Sequence, residues 1–168
     1  MRMGELAVTG TAAEVLTTIG LGSCVGIVLL DERRRTAGLA HVVFPLAPTD
    51  QEIRAPAKFA DTAVPALIAA MARLGSLRSA LEAVLIGGAR MFAFLRAPDL
   101  DIGSANVKAV SQALAQAGVP IRDSVTGGCV GRSVRVHATD GVIAVREAGA
   151  SSRVYTVAQG LFEEISPR

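Results

Sequence analysis

Residues 25–44, VGIVLLDERRRTAGLAHVVF, are two apolar runs parted by a short charged one. Bounded by glycine and charge, Val25–Asp31 and residues 38–44 each read as a short strand, and Arg33-Arg34-Arg35 after Asp31-Glu32 reads as a solvated turn. Together they predict a β-hairpin, whose register decides where Cys24 and His41 lie. A two-residue loop at Glu32-Arg33 sets Cys24 directly opposite His41, about 5 Å away at Cβ, and a loop at Arg33-Arg34 sets them diagonally, roughly 7–8 Å apart. Both registers place the two side chains on one face. An even sum of paired positions places them on opposite faces.

Outward from the hairpin, Leu6–Thr9 and residues 14–19 read as two more strands, so the first third of the chain is mostly β. Between Lys58 and Leu74, Phe59, Ala63, Val64, Leu67, Ile68 and Met71 recur at helical spacing, and Gly75 stops the pattern. Pro65 requires either that this helix begin only near Thr62, which leaves the proline in the first turn, or that it kink. A buried strand over residues 83–86 ends in Gly87-Gly88. A second helix follows, with Val107, Val110, Leu114 and Ala117 on one face and Gly118 and Pro120 at its end. Ile121–Thr126, residues 133–138 and Val142–Glu147 return to strands, with Asp140-Gly141 as a hairpin turn. The order predicts a single α+β or layered α/β domain over residues 1–168 with mainly antiparallel strands. Residues 150–168 are a terminal extension, read as a strand plus helix or as a docking segment.

With 168 residues, 51% of them hydrophobic, the chain can bury the core of one ordinary domain. Its apolar runs are far shorter than the roughly 20 residues of a membrane span, and residues 1–10 lack a secretory pattern, so the chain is expected to be cytoplasmic and not membrane-embedded. A net charge of +2, one Tyr and no Trp supply neither a basic stripe nor a stacking platform. Nucleic acid is therefore not an expected partner. Cys24 and Cys129 are too few for a disulfide framework and are expected as free thiols.

The segment from Thr17 to Gly26, TTIGLGSCVG, holds the most chemistry. Gly20 and Gly22 let the backbone turn tightly and bring main-chain N–H groups of Gly22, Ser23 and Cys24 toward whatever the cysteine attacks. Composition alone reads Cys24 as a small buried hydrophobe. An adjacent imidazole changes that, because the thiolate rather than the thiol is the nucleophile and His41 can take the proton and later return it to a departing amine. Thr17 and Thr18 both offer a hydroxyl to orient the ring, and alternation admits one of them. His137, beside the Asp140-Gly141 turn, reads as a strand or surface residue.

These residues carry a resemblance. Leu21-Gly22-Ser23-Cys24-Val25 and Ala40-His41-Val42 with Pro45 resemble the CheD family of chemoreceptor glutamine deamidases. So do Lys58-Phe59-Ala60-Asp61-Thr62-Ala63-Val64, Gly87-Gly88-Ala89 with Met91-Phe92, Ile102-Gly103 with Asn106, and Thr126-Gly127-Gly128 with Gly131-Arg132-Ser133. The likeness runs in order from about Gly4 to Glu147. It implies β-sheets packed face to face with helices outside, and a triad of Cys24 as nucleophile, His41 as base and acid, and Thr18 orienting His41. It further implies a substrate, glutamine side chains on the cytoplasmic helices of methyl-accepting chemotaxis receptors, and a regulatory partner, a CheC-like phosphatase, with no cofactor and no metal. Phe92 is read as a core aromatic or a partner contact. Cys129 stands where the family pattern suggests a polar residue such as Asn, and is read as filling space. Two other functions fit the same residues: a non-catalytic regulator of a CheC-like phosphatase, and another cysteine amidase or peptidase using the same dyad.

Overall fold

The chain is described by a computed structural model over residues 1–49, 54–91, 101–149, 152–156 and 161–164, with the backbone alone for the last two stretches. Its elements run β1 (Leu6–Thr9), β2 (Val15–Leu21), β3 (Val25–Asp31), β4 (Thr36–Val42), α1 (Ala60–Arg73), β5 (Glu82–Gly87), α2 (Ile102–Ala117) and β6 (Ile121–Thr126). They continue with β7 (Arg132–His137), β8 (Val142–Glu147), β9 (Ser152–Thr156) and β10 (Leu161–Glu164). Two five-stranded sheets result, ordered β1-β4-β3-β5-β6 and β10-β9-β8-β7-β2. Neighbouring strands are antiparallel except β5 and β6, which α2 joins as a parallel crossover.

β3 and β4 are buried along their whole length because each face meets a different layer. Val25, Ile27 and Leu29 of β3 and Ala40 and Val42 of β4 pack under Ala63, Leu67 and Met71 of α1 and Val110 and Leu114 of α2. The opposite parity, Val28, Leu30, Ala37 and Leu39, packs against Leu16, Val134, Val136, Ile143 and Val145 of the second sheet. The domain is thus helices on sheet on sheet, the layered α+β arrangement read from the sequence. β7 alternates, with Val134 and Val136 inward and Arg135 exposed, as a sheet with one solvated face requires.

The hairpin adopts the second of the two odd registers. Asp31 pairs with Thr36, and Arg35 N–H donates to Glu32 O at 3.3 Å, so Arg33-Arg34 form the two-residue loop. Gly26 therefore lies directly opposite His41, and Cys24 lies diagonal to it on the same face.

Several boundaries differ from the sequence reading. α1 begins at Ala60, ahead of Thr62, which puts Pro65 in its second turn. The missing Pro65 N–H leaves the Asp61 carbonyl without a helical donor. The Asp61 carboxylate accepts from Ala47 N–H at 3.1 and 3.2 Å, tying the loop after β4 to the start of the helix. β2 runs to Leu21 because its pairing with β7 shifts between Thr18 and Leu21 rather than stopping. In the terminal extension both described segments are strands: β9 pairs with β8 and β10 with β9, so residues 161–164 are not the helix that was one alternative. No described helix is long and apolar enough to cross a membrane.

Candidate active site

Between β2 and β3 the chain crosses from the second sheet to the first, and Cys24 sits at the end of the crossing. Gly20 has φ +75°, and Gly22 N–H donates to Gly20 O at 2.9 Å, which closes the turn within three residues. The turn after β5 grips this loop through main chain alone: Gly88 N–H donates to Cys24 O at 2.8 Å and Ala89 N–H to Gly22 O at 2.7 Å. The loop after β6 supports that turn in the same way, with Gly127 N–H on Gly87 O at 2.9 Å and Arg90 N–H on Gly128 O at 2.8 Å. Arg132 of β7 donates to Gly127 O at 2.7 Å and pairs with Glu147, so the second sheet clamps the far side.

His41, on β4, is 1% exposed, Thr18, on β2, is 1% exposed, and Cys24 is 8% exposed. Thr18 Oγ1 lies 2.8 Å from His41 Nδ1, a contact made across the gap between the two sheets. The same hydroxyl donates to Met1 O at 3.3 Å. A hydroxyl has one proton to give, so Thr18 accepts from Nδ1–H, and the imidazole carries its lone pair on Nε2. Nε2 is buried and has no hydrogen-bond partner among the described residues. Gly26 opposite His41 leaves space that Leu21 fills, since a Cβ at Gly26 would lie 2.9 Å from Leu21 Cδ1.

Burial sets the protonation states. It pushes the Cys24 thiol above its ordinary pKa, against the pull of the residue's own backbone N–H. It pushes the His41 imidazole below its ordinary value, helped by the Met1 ammonium and opposed by the Glu5 carboxylate. Burial thus disfavours the charged form of each group, the thiolate of Cys24 and the imidazolium of His41.

A pH dependence of stability follows. In the folded chain His41 stays neutral where an unfolded histidine binds a proton, so its contribution is present above about pH 6.5 and is lost as the pH falls through the lowered folded pKa. The difference in thermal midpoint between the unsubstituted chain and His41→Gln is expected to shrink between about pH 7 and about pH 5. A difference that stays constant over that range would contradict the assigned protonation.

Of the two threonines, Thr18 is the inward one; Thr17 pairs with Arg135 and is only half-buried. Gly22 and Ser23 lie in the crossing loop beside Cys24, and no backbone acceptor engages the N–H of Ser23 or Cys24 among the described residues. Phe92 lies outside the described residues. His137 ends β7, opposite Val15 and Val142. Cys129 is exposed and so does not fill core space. No group of three or more His, Cys, Asp or Glu side chains is placed to hold a metal among the described residues. Two groups were not singled out by sequence for any role at this site. They are Arg132 and the buried Asn106, whose amide reaches the loop. Asn106 meets carbonyls distant in the chain, and Arg132 meets Gly127 O, Gly87 O and the Glu147 carboxylate; only the adjacent glycine pairs hinted that backbones meet there.

A family model described as CheD chemotactic sensory transduction matches residues 45–147, beginning after Thr18, Cys24 and His41. A protein of Clostridium novyi (strain NT) described as a probable chemoreceptor glutamine deamidase CheD is 39% identical over 139 residues, covering 82% of this chain and 86% of that protein. One of the same description from Haloarcula marismortui is 43% identical over 150 residues, 89% of this chain and 85% of its own.

Proposed function

Because the chain belongs to the CheD family, we propose that it is a protein-glutamine deamidase, hydrolysing side-chain amides on the cytoplasmic helices of chemoreceptors to carboxylates and ammonia. The observation that carries the mechanism is the Thr18–His41 hydrogen bond, with the free Nε2 it leaves and Cys24 on the same face of the hairpin.

Cys24, His41 and Thr18 act as nucleophile, base and orienting group. As the glutamine amide enters, the thiol proton passes to His41 Nε2 and Cys24 Sγ attacks Cδ, forming a tetrahedral oxyanion. The N–H groups of Ser23 and Cys24, presented by the turn at Gly22, stabilise that charge. His41 returns the proton to the amide nitrogen, the C–N bond breaks, and ammonia leaves a thioester on Cys24. Water, deprotonated by His41, attacks the thioester; the C–S bond breaks, glutamate departs and the thiol is restored. Burial disfavours both charged forms before substrate enters, so in this reading the ion pair forms as Cys24 attacks.

Intact-mass analysis of a receptor cytoplasmic fragment tests this. Incubation should add about one dalton per converted glutamine, the amide-to-acid difference, together with one equivalent of ammonia. Cys129→Ala, at an exposed position, should convert the fragment as well as the unsubstituted chain does. A fragment whose mass never changes would refute the deamidase reading, and a new N-terminus in its place would indicate a peptidase.

A further inference from the structure

Asn106 lies in the second turn of α2 and is fully buried. Its Nδ2 donates to Ser23 O and to Val43 O, each at 2.9 Å. Both partners are pure acceptors, which fixes the end of the carboxamide that faces them. Its Oδ1 has no partner among the described residues, so the side chain is held entirely by these two carbonyls. α2 can come this close because Gly103 rests on the turn after β5: a Cβ there would lie 2.6 Å from Gly88 O and 2.7 Å from Ala89 O. The helix thereby delivers Asn106 into the gap between the crossing loop and the end of the strand that carries His41.

Ser23 O and Cys24 N–H are the two ends of a single peptide unit. That unit is planar and trans, so its C=O and N–H point in opposite directions, and whatever holds the oxygen also aims the hydrogen. Donation to the oxygen polarises the unit further and strengthens its N–H as a donor. On the other side of the cysteine, Gly88 N–H fixes Cys24 O, leaving little freedom to rotate. We infer that Asn106 is a positioning residue: through Ser23 O it aims the Cys24 N–H at the oxyanion, and through Val43 O it keeps that peptide in register with β4. The inference rests on the deamidase reading above and adds to it what organises the oxyanion donor.

Asn106→Asp keeps the shape and removes the donor, and Asn106→Ala removes both. With the receptor fragment as substrate, kcat for ammonia release should fall at least about tenfold in each, with KM within about twofold, since one oxyanion-hole donor is worth roughly a hundredfold or more. Alkylation of Cys24 by iodoacetamide builds no oxyanion. In a Cys129→Ala background its rate and pH profile should stay within about threefold of the Asn106 parent, which a merely structural role would not predict. Should the alanine variant fail to fold, the aspartate variant decides. Undiminished kcat overturns the inference, and so does a parallel loss of kcat and alkylation. If the unsubstituted chain releases no ammonia, the deamidase reading falls and takes this inference with it, whereas normal release by the parent and by both variants overturns this inference alone.

Discussion

Cys24→Ala is expected to abolish ammonia release, a loss of about ten-thousandfold or more, because in the proposed mechanism Cys24 carries the acyl intermediate. His41→Ala should lose about a thousandfold: the thiol, already pushed above its ordinary pKa by burial, then has no acceptor for its proton. Thr18→Val, which keeps the shape and removes the hydroxyl bonded to Nδ1, should cost about ten- to a hundredfold, since it frees the tautomer and ring without removing the base. The order of the three losses is the informative result. The double variant Cys24→Ala/His41→Ala should be no worse than Cys24→Ala alone, because members of one catalytic unit are not additive. Losses that multiplied, or a Cys24→Ala chain that still released ammonia, would remove Cys24 from the chemistry.

The second large effect concerns stability. Gly87→Ala is expected to destabilise the fold by about 3–5 kcal/mol, the range in which a change at a special backbone position becomes diagnostic. At roughly 2–4 °C per kcal/mol for a chain of this size, the thermal midpoint should drop by about 10 °C. Gly87 has φ +109°, and a Cβ there would lie 2.3 Å from Cys24 O, a backbone atom that cannot step aside without moving the loop. Gly118→Ala is the matched control. It too has positive φ, at +68°, but nothing lies within 4 Å of its Cβ, so only the conformational cost of about 1 kcal/mol remains. Equal losses at the two sites would show that strain alone, and not the approach to Cys24, fixes Gly87.

Legibility in the sequence followed the range of the interactions. The hairpin was readable because its runs and turn are local, but its register stayed open: two odd registers put Cys24 and His41 on one face and an even one parted them, and the pairing of Asp31 with Thr36 decides it. β2 was misjudged at its end because Gly20 looks like a stop, whereas its positive φ serves a bulge through which pairing continues to Leu21. The parallel β5–β6 pair and the strand order were out of reach, since a crossover helix decides them and no local pattern encodes which edge the chain rejoins. The β10 segment was too short for a helical period to be told from a strand. Spacing could not choose between Thr17 and Thr18; the inward one is set by β2 pairing with β7, more than a hundred residues along the chain. Asn106 was among the residues that carry the resemblance, but its role was out of reach for the same reason, as nothing around it in α2 announces two carbonyl partners contributed by residues 23 and 43.

The face-to-face sheets have a mechanical consequence. His41 lies on a strand of one sheet and Cys24 immediately before another strand of the same sheet, while Thr18 belongs to the other sheet and reaches His41 across the gap between them. The sandwich works like a caliper, with Cys24 and His41 on one jaw and Thr18 on the other. A change in the spacing of the jaws would act on the Thr18–His41 hydrogen bond, whereas Cys24 is tied to the jaw that carries His41 through the Gly88 N–H on its carbonyl.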